Sequence, residues 1–346
     1  MHGGDIYRTK AEYDFSVNLN PLGMPHSVIS ALSDAVLRSD RYPDILNEEL
    51  TEKASEILEI SDEKIVFGNG ASELILAVCH TFLPEKVMMP APSFSGYKYA
   101  ASAVTIGNGI IYHYLSAQNG FDLKDDLSVK LEKERPDLLF LANPNNPNGL
   151  LTDEGVLKGI ITKCDALGIT LILDECFLPL TGKDKERSYV KTVDDHPSLI
   201  IIRSFTKTFS IAGVRLGYAV CSKEKADIIK THLPEWNLSV FAQKAGIECL
   251  NAPDFVQSSA EYVMKERTYM TNKLSELGFW VFPSDANYIL LKSGINDLSD
   301  RLMSHGILIR DCSDYEGLSK GYYRIAVKSR SDNDILLQCL KTCSLQ

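Results

Sequence analysis

From about residue 60 to residue 235 the chain repeats one pattern, a short run of apolar and often β-branched residues followed by a longer stretch with helical spacing. The runs are KIVFG (64–68), KVMMP (86–90), DLLFLANP (137–144), TLILDE (170–175), LIIIRS (199–204) and GYAVCS (217–222). Such alternation predicts a mainly parallel sheet covered by helices. LIII shows no polar alternation and fits a strand buried on both faces. Ligands gather at the carboxyl ends of such strands, so the residues just after each run are the candidates for chemistry. The large lobe is expected over 41–235, with a smaller α+β lobe built from both termini, residues 1–40 and 236–346. In that second lobe 254–277 predicts a helix with one apolar face, and NYILLK, ILIRDC and YYRIAV predict strands. The loop NLNPLGMP leads into SVISALSDAVLR (27–38), a predicted amphipathic helix.

Four segments after these runs carry candidate residues. RSFTKTFSIAGVRLGY places Ser204, Thr206, Lys207 and Arg215 together. Hydroxyls and a guanidinium can cup an anion, while a lysine held against cations and apolar surface loses proton affinity and becomes a nucleophile toward aldehydes. Taken singly, Lys207 is equally well a surface lysine. Asp174 ends the run TLILD, where a carboxylate either faces a ligand and keeps a ring nitrogen protonated or caps the next segment. No histidine or second carboxylate stands at metal-ligand spacing nearby, so no metal is expected. KIVFGNGASELILAVCHTFL reads as strand, glycine turn and helix, with Leu74, Ile75, Val78 and Phe82 on the apolar side. The amides of Ala71 and Ser72 then lie at a helix N-terminus that favours phosphate, although neither nucleotide-loop pattern is present. NPNNPNG carries Asn143, Asn145, Asn146 and Asn148, suited to a turn or to one amide on a ligand hydroxyl, and APSFSGY offers Phe94 and Tyr97 as core aromatics or as a plate for a ring.

Composition narrows the partners. At 346 residues and 45% hydrophobic content, the chain can bury a large core and a smaller one. Acids outnumber bases 46 to 36, for a net charge of −10, which argues against a nucleic-acid surface and leaves any anionic ligand to a few local cations. The eight cysteines are scattered without a CxxC pair and read as reduced thiols. Asp5, Arg8, Lys10, Glu12 and Asp14 interrupt any apolar leader, and no run approaches a spanning helix, so a cytoplasmic location without membrane attachment is expected.

In this order, GNGASE, PSFSGY, NPNNPNG, LILDECF, RSFTK with GVRLGY, and YYRIAV resemble fold-type-I pyridoxal-phosphate enzymes of the histidinol-phosphate aminotransferase subfamily. The resemblance spans nearly the whole chain. It implies an aspartate-aminotransferase-like α/β fold with a mainly parallel seven-stranded sheet, and pyridoxal 5'-phosphate as cofactor. It implies a Schiff base on Lys207, Asp174 on the pyridine nitrogen, Asn146 on the ring hydroxyl and Phe94 stacked on the ring. Phosphate contacts would come from Ala71, Ser72, Ser204, Thr206 and Arg215. It further implies a homodimer with shared active sites, in which Tyr42 of RYPD reaches the neighbour's cofactor phosphate, and an α-carboxylate partner in Arg324. Two positions depart from the pattern. Phe177 stands where many relatives have a tyrosine donating to the ring hydroxyl, which leaves Asn146 as that oxygen's partner, and Asn148 follows Pro147 where many read NPTG.

The segments HGG (His2 to Gly4), DFSVNLNPLGMP and ILIRDCSDYEGLSKGYYRIAV are most similar to threonine-phosphate decarboxylases of cobalamin biosynthesis. That similarity implies a phosphorylated amino acid bound by His2, Gly3, Asn18, Asn146, Arg310 and Arg324, and decarboxylation of L-threonine O-3-phosphate to aminopropanol phosphate. The alternative is transamination of histidinol phosphate or a related amine with 2-oxoglutarate. The same lysine, aspartate and arginine serve both chemistries. A binding protein without turnover fits poorly with the joint presence of Lys207 and Asp174.

Overall fold

A computed structural model describes residues 3–107 and 109–344. Its strands are β1 (Tyr13–Asp14), β2 (Ile65–Gly68), β3 (Val87–Ala91), β4 (Ile110–Tyr114), β5 (Leu138–Ala142), β6 (Thr170–Asp174), β7 (Leu199–Ser204), β8 (Gly217–Cys221), β9 (Trp280–Val281), β10 (Tyr288–Lys292), β11 (Ile307–Leu308), β12 (Arg310–Asp311) and β13 (Tyr322–Ala326). Seven form one sheet in the order β2-β8-β7-β6-β5-β3-β4, in which only β8 runs antiparallel to its neighbours. Six of the seven coincide with the apolar runs. The seventh, β4, is an edge strand ending in an exposed Tyr114, and half-exposed edges do not select continuous apolar sequence.

Strand periodicity explains the core. Leu139, Leu141, Leu171, Leu173, Leu199 and Ile201 point to one face, while Leu138, Phe140, Ile172, Ile200 and Ile202 point to the other. Each face is roofed by helices, so the central strands carry no polar alternation. Glu154–Leu167 and Val240–Leu250 cover the first face through Leu157, Ile160, Ala242 and Ala245. Ala71–Phe82 and Ser95–Ser102 cover the second through Leu74, Val78, Tyr97 and Ala101. Val28 and Leu238 also pack in the first cluster, so lobe boundaries at residues 40 and 235 pass through buried contacts.

The second lobe holds the sheet β12-β13-β10-β9 and the parallel pair β1-β11. Its core gathers Phe15, Leu298, Tyr323, Ile325, Leu336 and Leu340. The helix Pro253–Glu276 joins the lobes, with Phe255 packed on the large sheet's cluster and Met270 and Leu274 in the small one. Across the seam, Tyr288 donates to the Asn145 carbonyl at 2.9 Å and Asp285 N–H donates to the Gly149 carbonyl at 2.7 Å. Gly149 has φ +77, and a side chain there would collide with Ser284 Oγ, so this turn requires glycine.

Directly after β6, Glu175 is fully buried and takes Arg203 Nε at 2.9 Å, the Ser188 hydroxyl at 2.9 Å and Tyr189 N–H at 2.9 Å. Removing Glu175 leaves the buried Arg203 guanidinium with Asp184, at 2.8 Å, as its one carboxylate among the described residues. Glu175→Ala is therefore expected to cost about 3–5 kcal/mol of unfolding free energy, seen as a lower denaturant midpoint. A loss below about 1 kcal/mol would mean that Arg203 finds other anions or water. Among the described residues, no helix is long and apolar enough to cross a membrane.

Candidate active site

The carboxyl ends of β5, β6 and β7, the start of Ala71–Phe82 and the second lobe's β12 and β13 enclose a cavity of about 220 Å³. Ala71, Ser72, Phe94, Asn146, Asp174, Ser204, Thr206, Lys207 and Arg215 line it from the large lobe. Gly3, Asn18, Arg310 and Arg324 line it from the other side. Tyr42, expected to reach the neighbour's cofactor phosphate, does not line this cavity. Tyr42 is 82% exposed and packs against Trp236, with ring centroids 4.9 Å apart. His2 lies outside the described residues.

Lys207 sits in the short helix Phe205–Thr208, whose first turn is tied by Thr206 N–H donating to Ser204 Oγ at 3.2 Å. Among the described residues, no carboxylate lies within ion-pair distance of its amine. Burial foremost, then the nearby charges of Arg324 and Arg215, lower its pKa from 10.5 to about 8, against the opposing pull of Cys176 and Asp174. The amine thus gives up its proton more readily than an ordinary lysine, while still carrying it for the most part below pH 8. Asp174 ends β6, and both its oxygens are engaged: Oδ1 accepts Cys176 N–H at 2.9 Å and Oδ2 accepts the Tyr97 hydroxyl at 2.6 Å. Each oxygen keeps a lone pair for one further donor.

The anion cradle is built from backbone as much as from side chains. Gly70, with φ +78, precedes Ala71–Phe82, and no side chain caps that helix. The amides of Ala71 and Ser72 therefore remain as donors at the positive end of the helix dipole. Arg215 lies across Gly70 so closely that an added Cβ would stand 2.6 Å from its Nη2. Ser204 and Thr206 supply hydroxyls on the same wall, and no acid among the described residues pairs with Arg215. Helix amides, hydroxyls and an unpaired guanidinium together suit a phosphate group.

Arg310 and Arg324 face each other across β12 and β13, both buried. Arg324 donates from Nη1 to Asn146 Oδ1 at 2.6 Å and from Nη2 to the Ser16 carbonyl at 2.8 Å, while its buried Nε has no acceptor. With its oxygen so engaged, Asn146 is left with an NH2 to donate into the cavity. Arg310 Nη2 reaches both carboxylate oxygens of Asp314, at 2.8 and 2.9 Å. Tyr315 was not foreseen. Its hydroxyl lies 3.4 Å from Arg324 Nη1, and Arg310 sits over its ring at 5.2 Å, contacts between chain positions that no local pattern marks. Tyr97 was expected as a core aromatic or a ring plate. It is a core aromatic stacked on Phe140, and its bond to Asp174 is an addition.

The family model for aminotransferases of class I and II matches residues 11–340. The chain belongs to this family. It is 35% identical to the threonine-phosphate decarboxylase of Salmonella typhimurium, over 98% of this chain and 95% of that protein. Among solved structures, the histidinol-phosphate aminotransferase of Clostridium acetobutylicum matches with a TM-score of 0.89 and 31% identity, covering 96% of this chain and 99% of that one. The histidinol-phosphate aminotransferase of Sinorhizobium meliloti, solved in complex with pyridoxal 5'-phosphate, matches the fold with a TM-score of 0.87 at 21% identity, over 99% and 93% of the two chains. This aminotransferase-family chain is an enzyme, and pyridoxal 5'-phosphate is its cofactor. The anion cradle fits the cofactor's phosphate, and Lys207 and Asp174 fit its aldehyde and its ring nitrogen. Gly70→Ala, which drives a methyl group into Arg215 at a positive φ, is expected to weaken cofactor affinity by about tenfold or more in an equilibrium titration of apo-protein. Unchanged affinity would remove Arg215 from the cradle.

Proposed function

We propose that this enzyme decarboxylates L-threonine O-3-phosphate, releasing CO2 and leaving aminopropanol phosphate. One observation carries the proposal: two buried guanidiniums, Arg310 and Arg324, face the cavity in addition to the Arg215 cradle. The site thus has separate cations for the cofactor phosphate, a substrate carboxylate and a substrate phosphate. Likeness to the Salmonella typhimurium enzyme supports the same assignment.

Bound in the cavity, the cofactor supplies an electron sink for the pair left on Cα when a bond there breaks. Lys207 would hold its aldehyde carbon, Asp174 its ring nitrogen, Asn146 its ring hydroxyl and Phe94 one ring face. Phe177 adds no hydroxyl, so Asn146 serves the ring oxygen alone. Arg324 is the carboxylate partner: its Nε awaits an acceptor, and its contacts with Asn146, Ser16 and Tyr315 fix the plane of the fork. Arg310, with Gly3 and Asn18 beside it, takes the substrate phosphate. Which Cα bond breaks is set by which one these cations hold perpendicular to the ring, and decarboxylation needs the carboxylate there. Lys207, the sole lysine of the cavity wall among the described residues, is then the group that delivers a proton to Cα.

A homodimer belongs to this proposal. Leu37, Tyr42 and Leu46 are exposed by 83, 82 and 67%, a run that a second copy would cover while bringing Tyr42 to the other cavity. A cytoplasmic setting accords with the eight free cysteines.

Transamination of histidinol phosphate with 2-oxoglutarate is the second reading, favoured by the 31% identity to the Clostridium acetobutylicum aminotransferase. Two assays separate them. CO2 release from O-phosphothreonine is the expected result. Glutamate from histidinol phosphate and 2-oxoglutarate, without CO2 from O-phosphothreonine, would reverse the assignment.

A further inference from the structure

Tyr97 occupies the first turn of Ser95–Ser102 and is only 1% exposed. Its ring is fixed on two sides: it stacks on Phe140 at 4.8 Å and 8°, and meets Phe94 edge-on at 5.4 Å. An apolar niche of this kind would accept phenylalanine equally well, yet the hydroxyl has one specific partner. It donates to Asp174 Oδ2 at 2.6 Å, while Cys176 N–H holds Oδ1 at 2.9 Å.

We propose that Tyr97 is a positioning residue for the cofactor: its phenol fixes the orientation of Asp174 and occupies one of its oxygens, so that the carboxylate meets the cofactor's ring nitrogen in one geometry and the proton between them stays on the ring. The proposal rests on Asp174 serving the ring nitrogen. A hydrogen bond donated to a carboxylate lowers its proton affinity. Without the phenol that donor is lost, and the proton shared with the ring moves toward the carboxylate. The titratable groups around Asp174 are Tyr97, Cys176, Lys207 and Tyr288. Burial first and then the charge of Asp174 push the Tyr97 hydroxyl well above the ordinary tyrosine value, so it stays a donor across the working pH range. Burial first, and then contact with Asp174, raises the Cys176 thiol, whose Sγ also lies 3.9 Å from the Ile202 carbonyl, while burial raises Tyr288, whose hydroxyl donates to the Asn145 carbonyl.

The test compares holoenzymes. Tyr97→Phe keeps the ring and its stacking, so circular dichroism and the melting temperature are expected to stay close to the parent. The nitrogen-15 signal of ring-labelled cofactor is expected to move toward neutral pyridine. The pH midpoint of the bound cofactor's near-visible absorbance is expected to rise by about half a unit or more. For O-phosphothreonine, kcat is expected to fall about tenfold with KM within about twofold, because the phenol acts on the electron sink and not on substrate binding. In an Asp174→Asn background at saturating cofactor, Tyr97→Phe is expected to add no further spectral change. An unchanged nitrogen signal and midpoint in coloured Tyr97→Phe protein overturns the proposal and leaves the cofactor assignment intact. Equal shifts in both backgrounds also overturn it, since the phenol would then act without Asp174. Wild-type protein that takes up no cofactor overturns both.

Discussion

Lys207→Ala is expected to lose turnover by about a thousandfold or more, because on the proposed assignment one substitution removes both the nucleophile for the cofactor's aldehyde and the amine that returns a proton to Cα. Purified wild-type protein should be yellow and keep its colour through gel filtration, whereas the variant should bleach. A second consequence follows from burial of a cation with no carboxylate partner. In the folded apo-protein Lys207 titrates near 8, against 10.5 for an ordinary lysine. Between those values the unfolded chain binds more protons than the folded one, so stability contributed at this site rises with pH across that window. Below pH 8 both states carry the proton and the full penalty of burying the charge is present. Apo Lys207→Ala should therefore be more stable than apo wild type at pH 7, by about 1–3 kcal/mol, and the advantage should vanish above the ordinary lysine value. Identical denaturant midpoints for the two apo-proteins at pH 7 would show that the amine reaches water or an anion.

Arg324→Met is the second large effect. Truncation removes a fork whose Nε points at a missing acceptor, and about 2–5 kcal/mol of carboxylate binding should go with it, a loss in kcat/KM of about 30-fold to several thousandfold. It also frees Asn146 Oδ1, now held at 2.6 Å, so kcat should fall as well as KM rise. Arg324→Lys keeps the charge without the planar fork and should recover only a minor part. Kinetics within threefold of wild type for Arg324→Met would exclude this side chain as the carboxylate partner. A milder, KM-dominated defect is expected from Arg310→Met, since Arg310 is assigned to a phosphate remote from the breaking bond.

The gathering of most candidate residues around one cavity was legible because each part is local. A strand run, the residue that ends it and the turn after it share a few consecutive positions, and Asp174, Lys207 and the amides of Ala71 and Ser72 follow from them. Residues read for one purpose gained a second from partners distant in the chain. Tyr97 meets Asp174 across 77 positions, and Arg324 meets Asn146 across 178 and Ser16 across 308. The packing of Val28 and Leu238 with the large sheet's cluster, from beyond the expected lobe limits at residues 40 and 235, is likewise unmarked locally, since they look like any other apolar residues until the layer they cover is known.

The order of apolar runs and the residues closing them determined the fold class, the placement of a lysine and an aspartate at the same end of the sheet, and the acidic chain's dependence on a few local cations. Periodicity reports which faces are buried, and that information is carried by neighbours in the chain. Tertiary packing alone decided that β8 runs against the sheet, that the run ILIRDC divides into β11, paired with β1, and β12, paired with β13, and that two arginines fall opposite each other. Register and strand direction are settled by contacts between segments far apart in sequence, whose energies no single segment contains.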